Sequence, residues 1–151
     1  MKVFLDANVI FSASLSAQGV AQALLVAAQA VQAQCVCSDY AWGEALRNLA
    51  AKAPQALPRL ALIEYLVARV PEPAAVHVEA ARCAGIVAKD APVFGAALQC
   101  RADLFVTGDV RHFGHLFGSR IEGVSVLSLR AALDHLVAPP AGRAASRKQA
   151  P

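Results

Sequence analysis

The chain has 151 residues, enough for one domain that buries a core of its own. Hydrophobic residues make up 57% of it and charged residues 17%, which excludes an intrinsically disordered protein, and the net charge of +3 permits a nucleic-acid partner without requiring one. An acid at position 6 interrupts the first apolar run, unlike in a signal peptide, and no stretch approaches the roughly 18 uninterrupted apolar residues of a membrane span. We therefore expect a cytoplasmic protein with no membrane partner.

Short apolar runs alternate with helical patterns along the chain. In order, they predict a strand at 2–5, a helix at 20–32, a strand at 35–37, helices at 40–51, 58–70, 75–88 and 90–99, strands at 104–107 and 124–127, and a helix at 129–137. This alternation predicts an α/β fold, a three-layer sandwich in which helices flank a mostly parallel central sheet. We expect one domain over residues 1–137 and a disordered tail over residues 138–151.

Acidic residues follow two of the predicted strands. Asp6 comes directly after the first strand and Asp109 closely follows the strand at 104–107. Asp90 is the predicted N-cap of a helix that starts on the same side of the sheet. Ser128 is the predicted N-cap of the last helix. Ligands of such sheets bind beyond the carboxyl ends of the strands, so we expect the three aspartates along one rim.

Glu44 is a fourth candidate, on the predicted helix at 40–51. The apolar side of that helix carries Trp42, Leu46 and Leu49. Glu44 lies two residues from both Trp42 and Leu46, which on a helix is about 200° away. We expect it to point off the apolar side and towards the rim.

Four carboxylates in one place repel one another, and without a counter-charge some would have to bind protons. A divalent cation that prefers oxygen ligands, Mg²⁺ or Mn²⁺, removes that repulsion. An acidic metal site without a nucleophilic cysteine or serine indicates metal-activated water attacking a phosphate ester. Each acid alone also has an ordinary explanation, as a turn former, a helix cap or a solvated residue, so the prediction depends on the whole set.

The cysteines and histidines give weaker evidence of a metal site. The pair Cys35 and Cys37 resembles half of a zinc site, but no second pair accompanies it, and we expect all four cysteines to be buried and free. His112 and His115 have the spacing of a metal pair, but a nearby third ligand of that type is lacking.

At the four acids the sequence resembles the PIN domains, the fold of VapC-type toxins and of several RNA-processing nucleases. Residues 5–10, LDANVI, resemble the opening motif of the family, and Glu44 falls where a helical glutamate is expected. Residues 89–97, KDAPVFGAA, are similar to the third acidic motif, and residues 104–113, LFVTGDVRHF, to the fourth. The similarity extends to about Leu129 with the motifs in family order.

The resemblance implies a ribonuclease in which Asp6, Asp90 and Asp109 hold Mg²⁺ or Mn²⁺ with Glu44 close by. It also implies that Asn8 and Thr107 orient these carboxylates from behind. Family members hydrolyse RNA phosphodiester bonds, often as toxins neutralised by a small antitoxin and often as homodimers.

The chain departs from the family pattern just after the fourth motif. Many members carry another acid there, where this chain has Arg111 and His112, so the number of metal ions stays open. Arg111 is a predicted phosphate contact, with a solvent-exposed loop arginine as the alternative. Further basic residues that are candidates for an RNA-facing surface are Arg47, Lys52, Arg59, Arg143, Arg147 and Lys148.

Three other readings compete. A haloacid-dehalogenase-like phosphatase needs an Asp two residues after Asp6, where Asn8 stands, and a nucleotide-binding fold needs a glycine-rich loop that Ser12-Ala13-Ser14 does not supply. The remaining alternative is a PIN-fold module that binds RNA or protein with little or no turnover. Toxin and housekeeping nuclease both stay open, as do the RNA cleaved and the oligomeric state.

Overall fold

The structure is a computed structural model and describes residues 1–139. Its strands are β1 (Lys2–Leu5), β2 (Gln34–Ser38), β3 (Val67–Val70), β4 (Leu104–Val106), β5 (Arg120–Ile121) and β6 (Val124–Leu127). Its α-helices are α1 (Ala7–Leu15), α2 (Val20–Ala30), α3 (Asp39–Lys52), α4 (Leu57–Ile63), α5 (Ala75–Cys83), α6 (Ala91–Gln99), α7 (Val110–Phe113) and α8 (Leu129–Val137). The predictions for residues 140–151 lie outside the described residues.

The six strands form one sheet in the order β3-β2-β1-β4-β6-β5, and β5 alone pairs antiparallel. Strand β1 lies in the middle, and its residues Val3, Phe4 and Leu5 are at most 1% exposed. Continuous apolar runs of this kind are typical of parallel strands covered on both faces. The predicted α/β fold with a mostly parallel sheet flanked by helices is confirmed.

An aromatic cluster fills the core beneath the carboxyl ends of the central strands. Phe105 of β4 stacks on Phe4 of β1 with 5.7 Å between ring centroids. Phe94 of α6 meets Phe105 edge-on at 5.0 Å, and Phe113 of α7 lies at 5.1 Å. These contacts fix α6 and α7, which begin directly after Asp90 and Asp109, against the two middle strands.

A glycine lets α6 approach α5 closely. A Cβ built on Gly95 would lie 3.1 Å from the backbone nitrogen of Val78 and 3.2 Å from the carbonyl of His77. Such distances are tighter than a side chain normally accepts, so the small residue sets how close the two helices pack. The packing helps to fix the start of α6, where Asp90 stands.

The predicted helix at 58–70 is wrong in its second half. Helix α4 ends at Ile63, a 3₁₀ turn covers Glu64–Leu66, and Val67–Val70 is strand β3, paired parallel with β2. Val67 is buried at 4% exposure, and β-branched residues suit a pleated surface better than a helix. Helix α5 also ends earlier than predicted, at Cys83, and Gly85 follows with a φ of +91°.

Two side-chain predictions also need correction. Leu46 is 43% exposed and so does not belong to the buried side of α3, whereas Trp42 and Leu49 do. Cys35 and Cys37 are buried and free as predicted, but Cys83 is exposed and Cys100 only half-buried. Cys83 stands in the last turn of the amphipathic helix α5, where the only fully buried side chain is Ala81.

In residues 1–139, no single helix is long and apolar enough to span a membrane. By length and composition alone, the pair α1 and α2 passes the test together, with a bend of 102° between the two helices.

Candidate active site

All four predicted acids line one cavity at the carboxyl end of β1 and β4. Its walls consist of Asp6, Ala7, Asn8, Phe11, Glu44, Asn48, Lys52, Lys89, Asp90 and Asp109. Asp6 ends β1 and caps α1, Asp109 caps α7, Asp90 precedes α6, and Glu44 lies on α3. The structure therefore brings together the residues that the sequence analysis selected from four separate segments.

Asp6 lies at the bottom of the cavity and is held by three donors. Its Oδ1 accepts the backbone N–H of Ala7 at 2.8 Å, as expected of an N-cap. Its Oδ2 accepts the hydroxyl of Thr107 at 2.8 Å and the amide of Asn8 at 3.1 Å. Asp6 is 9% exposed, and these bonds leave its carboxylate little freedom to turn.

Thr107 connects Asp6 to Asp109. Its hydroxyl donates to Asp6 and accepts hydrogen bonds from the backbone N–H of Asp109 at 3.1 Å and from the Asn8 amide at 3.2 Å. Asn8 also accepts the backbone N–H of Gly108 at 2.7 Å. Asn8 and Thr107, predicted to support the site, are thus the two side chains that link the loop after β4 to the start of α1.

Asp90 and Asp109 both contact one ring nitrogen of His112. His112 Nδ1 lies 2.8 Å from Asp109 Oδ2 and 3.1 Å from Asp90 Oδ2. The other oxygen of Asp109 accepts the backbone N–H of His112 at 3.1 Å. Asp90 was predicted to cap α6 with its side chain, but it makes no such hydrogen bond. Its carboxylate instead faces the cavity.

Burial and mutual repulsion raise the pKa of two of these acids. The pKa of Asp6 rises to about 6, chiefly because burial disfavours its charged form, with smaller contributions from the charges of Asp90 and Glu44. The hydrogen bond from Thr107 opposes that rise. Burial also raises the pKa of Asp90, against the opposing charge of His112, while Asp109 adds repulsion. Such a site is stabilised by added positive charge.

The predicted phosphate contact and the second histidine lie elsewhere. Arg111 is exposed on α7 and is not among the residues that line the cavity. His115 is exposed, whereas His112 is half-buried between two acids. His112 therefore lies beside carboxylates and not beside His115.

The comparison of the chain with protein families agrees with this geometry. A sequence model of the PIN domain matches residues 2–111, a segment that contains all four acids. The chain belongs to the PIN-domain family. PIN domains are in general nucleases, that is, hydrolases. A comparison with curated proteins finds no match.

This PIN domain brings residues to its site that the sequence analysis missed. Within residues 1–139, the group of three ligating side chains whose atoms lie within 4.8 Å of one another is Asp90, Asp109 and His112. The spacing of Asp109 and His112, three residues apart on a helical turn, was the signal available for His112. Asn48 and Lys89 also line the cavity, and Asn48, four residues after Glu44, lies on the same side of α3.

Proposed function

We propose that this PIN domain is a metal-dependent endoribonuclease that hydrolyses RNA phosphodiester bonds with metal-activated water. The observation that carries the proposal is the Oδ2 atom of Asp90. It is buried and, among the described residues, has no hydrogen-bond partner, since the nearby His112 Nδ1 does not meet it with hydrogen-bond geometry. An unpaired buried carboxylate oxygen is costly, and a cation in the cavity would satisfy it.

The donor set fits Mg²⁺ or Mn²⁺. Asp90 and Asp109 would hold the ion directly, and Asp6 and Glu44 line the same cavity and add negative charge. When bound, a divalent cation activates water as the nucleophile and screens the charge of a phosphate ester. The chain's own contribution is to fix the carboxylates, which Thr107 and Asn8 do through Asp6 and the Asp109 backbone.

Two lysines in the cavity wall are evidence for a polyanionic substrate. Lys52 and Lys89 line the acidic cavity and are exposed, so their ammonium groups are free to meet phosphates on either side of the scissile bond. Arg111, exposed two residues after Asp109, is proposed as a further phosphate contact outside the cavity. The proposal of RNA as the substrate comes from the resemblance to RNA-cleaving PIN domains.

We further propose that the protein is the toxin of a toxin–antitoxin pair and a homodimer. Support for the homodimer comes from an apolar surface around α4, where Leu62 is 68% and Tyr65 89% exposed. Gel filtration of the wild type and of a Leu62→Asp, Tyr65→Asp double variant tests the dimer. Growth arrest on induced expression, absent with Asp109→Asn, tests the toxin.

The decisive experiment is cleavage of total RNA by the full-length protein with Mn²⁺, with Mg²⁺ and with EDTA, beside the variant Asp109→Asn. We expect cleavage that requires metal and disappears in the variant. Metal binding without cleavage of any RNA would favour the alternative, a binding module without turnover. Cleavage that Asp109→Asn retains would point to a contaminating nuclease and contradict the proposal.

A further inference from the structure

Helix α7 places an imidazole nitrogen among the ligating oxygens. His112 stands three residues after Asp109, so both side chains face the same side of this single turn. Its Nδ1 lies 2.8 Å from Asp109 Oδ2 and 3.1 Å from Asp90 Oδ2. Neighbouring ligands of an octahedral ion bound at roughly 2.0–2.1 Å lie about 3 Å apart. Nδ1 therefore has the spacing of a neighbouring ligand to each of the two carboxylate oxygens, and one ligand atom from each of the three residues lies within 4.8 Å of the other two.

Hydrogen bonding alone does not account for this arrangement. Within the described chain, Asp90 Oδ2 lacks a hydrogen-bond partner although Nδ1 is its close neighbour. A single Nδ1–H also cannot make two well-directed hydrogen bonds at once, one to each carboxylate. The side chains of His112 and Asp90 are 31% and 19% exposed, so the group lies close to the protein surface although Asp90 Oδ2 itself is buried. A cation in contact with all three atoms would satisfy each of them.

From this geometry we propose that His112 Nδ1 is a ligand of the divalent cation and makes the site prefer Mn²⁺ to Mg²⁺; the proposal rests on the metal dependence proposed above. Mg²⁺ is a hard ion that favours oxygen ligands and keeps several of its waters. An imidazole nitrogen is a softer donor, better suited to first-row transition metals. A site with one nitrogen ligand in place of a carboxylate oxygen also has less negative charge. We expect this loss to weaken the binding of Mg²⁺ more than that of Mn²⁺.

Pulsed electron paramagnetic resonance of the full-length protein loaded with one equivalent of Mn²⁺ tests the ligand directly. A directly bound imidazole produces modulation of the electron spin echo by ¹⁴N. We expect this modulation in the wild type, its loss in His112→Gln, and its retention in His115→Ala, the matched control, since His115 is exposed three residues further on. No ¹⁴N modulation in the wild type, or modulation that persists in His112→Gln, would overturn the assignment.

Calorimetric titration of the metal-free protein with Mn²⁺ and with Mg²⁺ tests the preference. We expect His112→Gln to lower Mn²⁺ affinity about 10–100-fold, the range by which disturbed metal sites lose affinity. His112→Asp restores an all-oxygen set, so its ratio of Mn²⁺ to Mg²⁺ affinity should fall below that of the wild type. An unchanged ratio would contradict the proposal, and circular dichroism confirms that each variant is folded.

The two proposals fail separately. Metal-dependent RNA cleavage without ¹⁴N modulation overturns the role of His112 and leaves the nuclease standing. If His112→Gln removes the ¹⁴N modulation but the wild type cleaves no RNA, the result supports His112 as a metal ligand and counts against the proposed ribonuclease activity.

Discussion

Asn8 and Gly108 are joined by a hydrogen bond of 2.7 Å, in which the Gly108 N–H donates to Asn8 Oδ1. The two residues lie 100 positions apart: Asn8 is in the first turn of α1, directly after β1, and Gly108 is in the loop between β4 and α7. A Cβ on Gly108 would lie 3.3 Å from Asn8 Oδ1, so the close approach depends on glycine. Through this contact and Thr107, the junction of β1 and α1 that carries Asp6 and the loop that carries Asp109 are fixed to each other as well as to the sheet.

Thr107→Val should impair the site while preserving the shape of the side chain. The variant loses the donor to Asp6 Oδ2 and the acceptor for the Asp109 N–H, so both carboxylates gain freedom. We expect metal affinity, measured by calorimetry, to fall about 10–100-fold. Thr107→Ser keeps the hydroxyl and should retain near-wild-type affinity. Equal affinity in Thr107→Val and the wild type would show that this hydroxyl does not position the site.

The stability of the metal-free protein should fall as pH rises from about 4 to about 6. Below the ordinary Asp pKa of 3.8, Asp6 holds its proton in both the folded and the unfolded protein. Between pH 3.8 and about 6, the unfolded chain has released this proton but the folded protein still holds it, because burial raises the pKa of Asp6 in the folded state to about 6. The folded state is then penalised progressively, by about 3 kcal/mol at most above pH 6. Other carboxylates titrate in the same range, so the measured quantity is the difference between the wild type and Asp6→Asn.

Urea denaturation in EDTA across this pH range provides that difference. The free energy of unfolding should decrease more steeply with pH in the wild type than in Asp6→Asn, and added Mn²⁺ should offset the loss in the wild type. Parallel pH profiles for the two proteins would mean that Asp6 does not carry the titration.

The sequence predicted the elements that a continuous residue pattern marks, and it missed elements that depend on contacts between distant parts of the chain. Strands β1, β2, β4 and β6 were found because buried parallel strands form short, mostly apolar runs. Helix α1 was missed because its sequence, ANVIFSASL, is apolar nearly all round and shows no helical period. Strand β3 was hidden because it follows α4 and its 3₁₀ turn without a Gly or Pro, and only pairing with β2 makes it a strand.

The candidate site follows the same division. Asp6, Glu44, Asp90 and Asp109 were selected by motif and by position at strand ends, and all four line the cavity. The role of His112 between Asp90 and Asp109 could not be predicted in the same way, because it depends on how α6 and α7 pack on Phe105.

Lys52→Ala and Lys89→Ala should weaken RNA binding. Each removes one cation from the wall of the cavity, so each should lower the slope of log affinity against log salt concentration by about 0.7, the contribution of one phosphate contact on a single strand. The Michaelis constant should rise more than the turnover number falls. Arg120→Ala, on strand β5 and outside the cavity lining, is the control. A salt slope that stays constant in both lysine variants would remove them from the proposed RNA path.

Alkylation should distinguish the cysteines of the folded protein. Burial raises the pKa of Cys35 to about 11 and of Cys37 to about 12, so at pH 8 about one in a thousand or fewer of these thiols is ionised. Because the thiolate is the nucleophile, native protein treated with iodoacetamide should be labelled at exposed Cys83 and more slowly at half-buried Cys100, whose pKa burial also raises.

Peptide mass spectrometry measures the label at each site, and urea should make all four cysteines reactive. Cys35 and Cys37 lie on β2, beside β1, so their protection reports whether the core packed against these central strands stays closed. Rapid native labelling of Cys37, which is 0% exposed, would show that the packing over β2 opens in the native protein and would contradict a rigid core beneath the site.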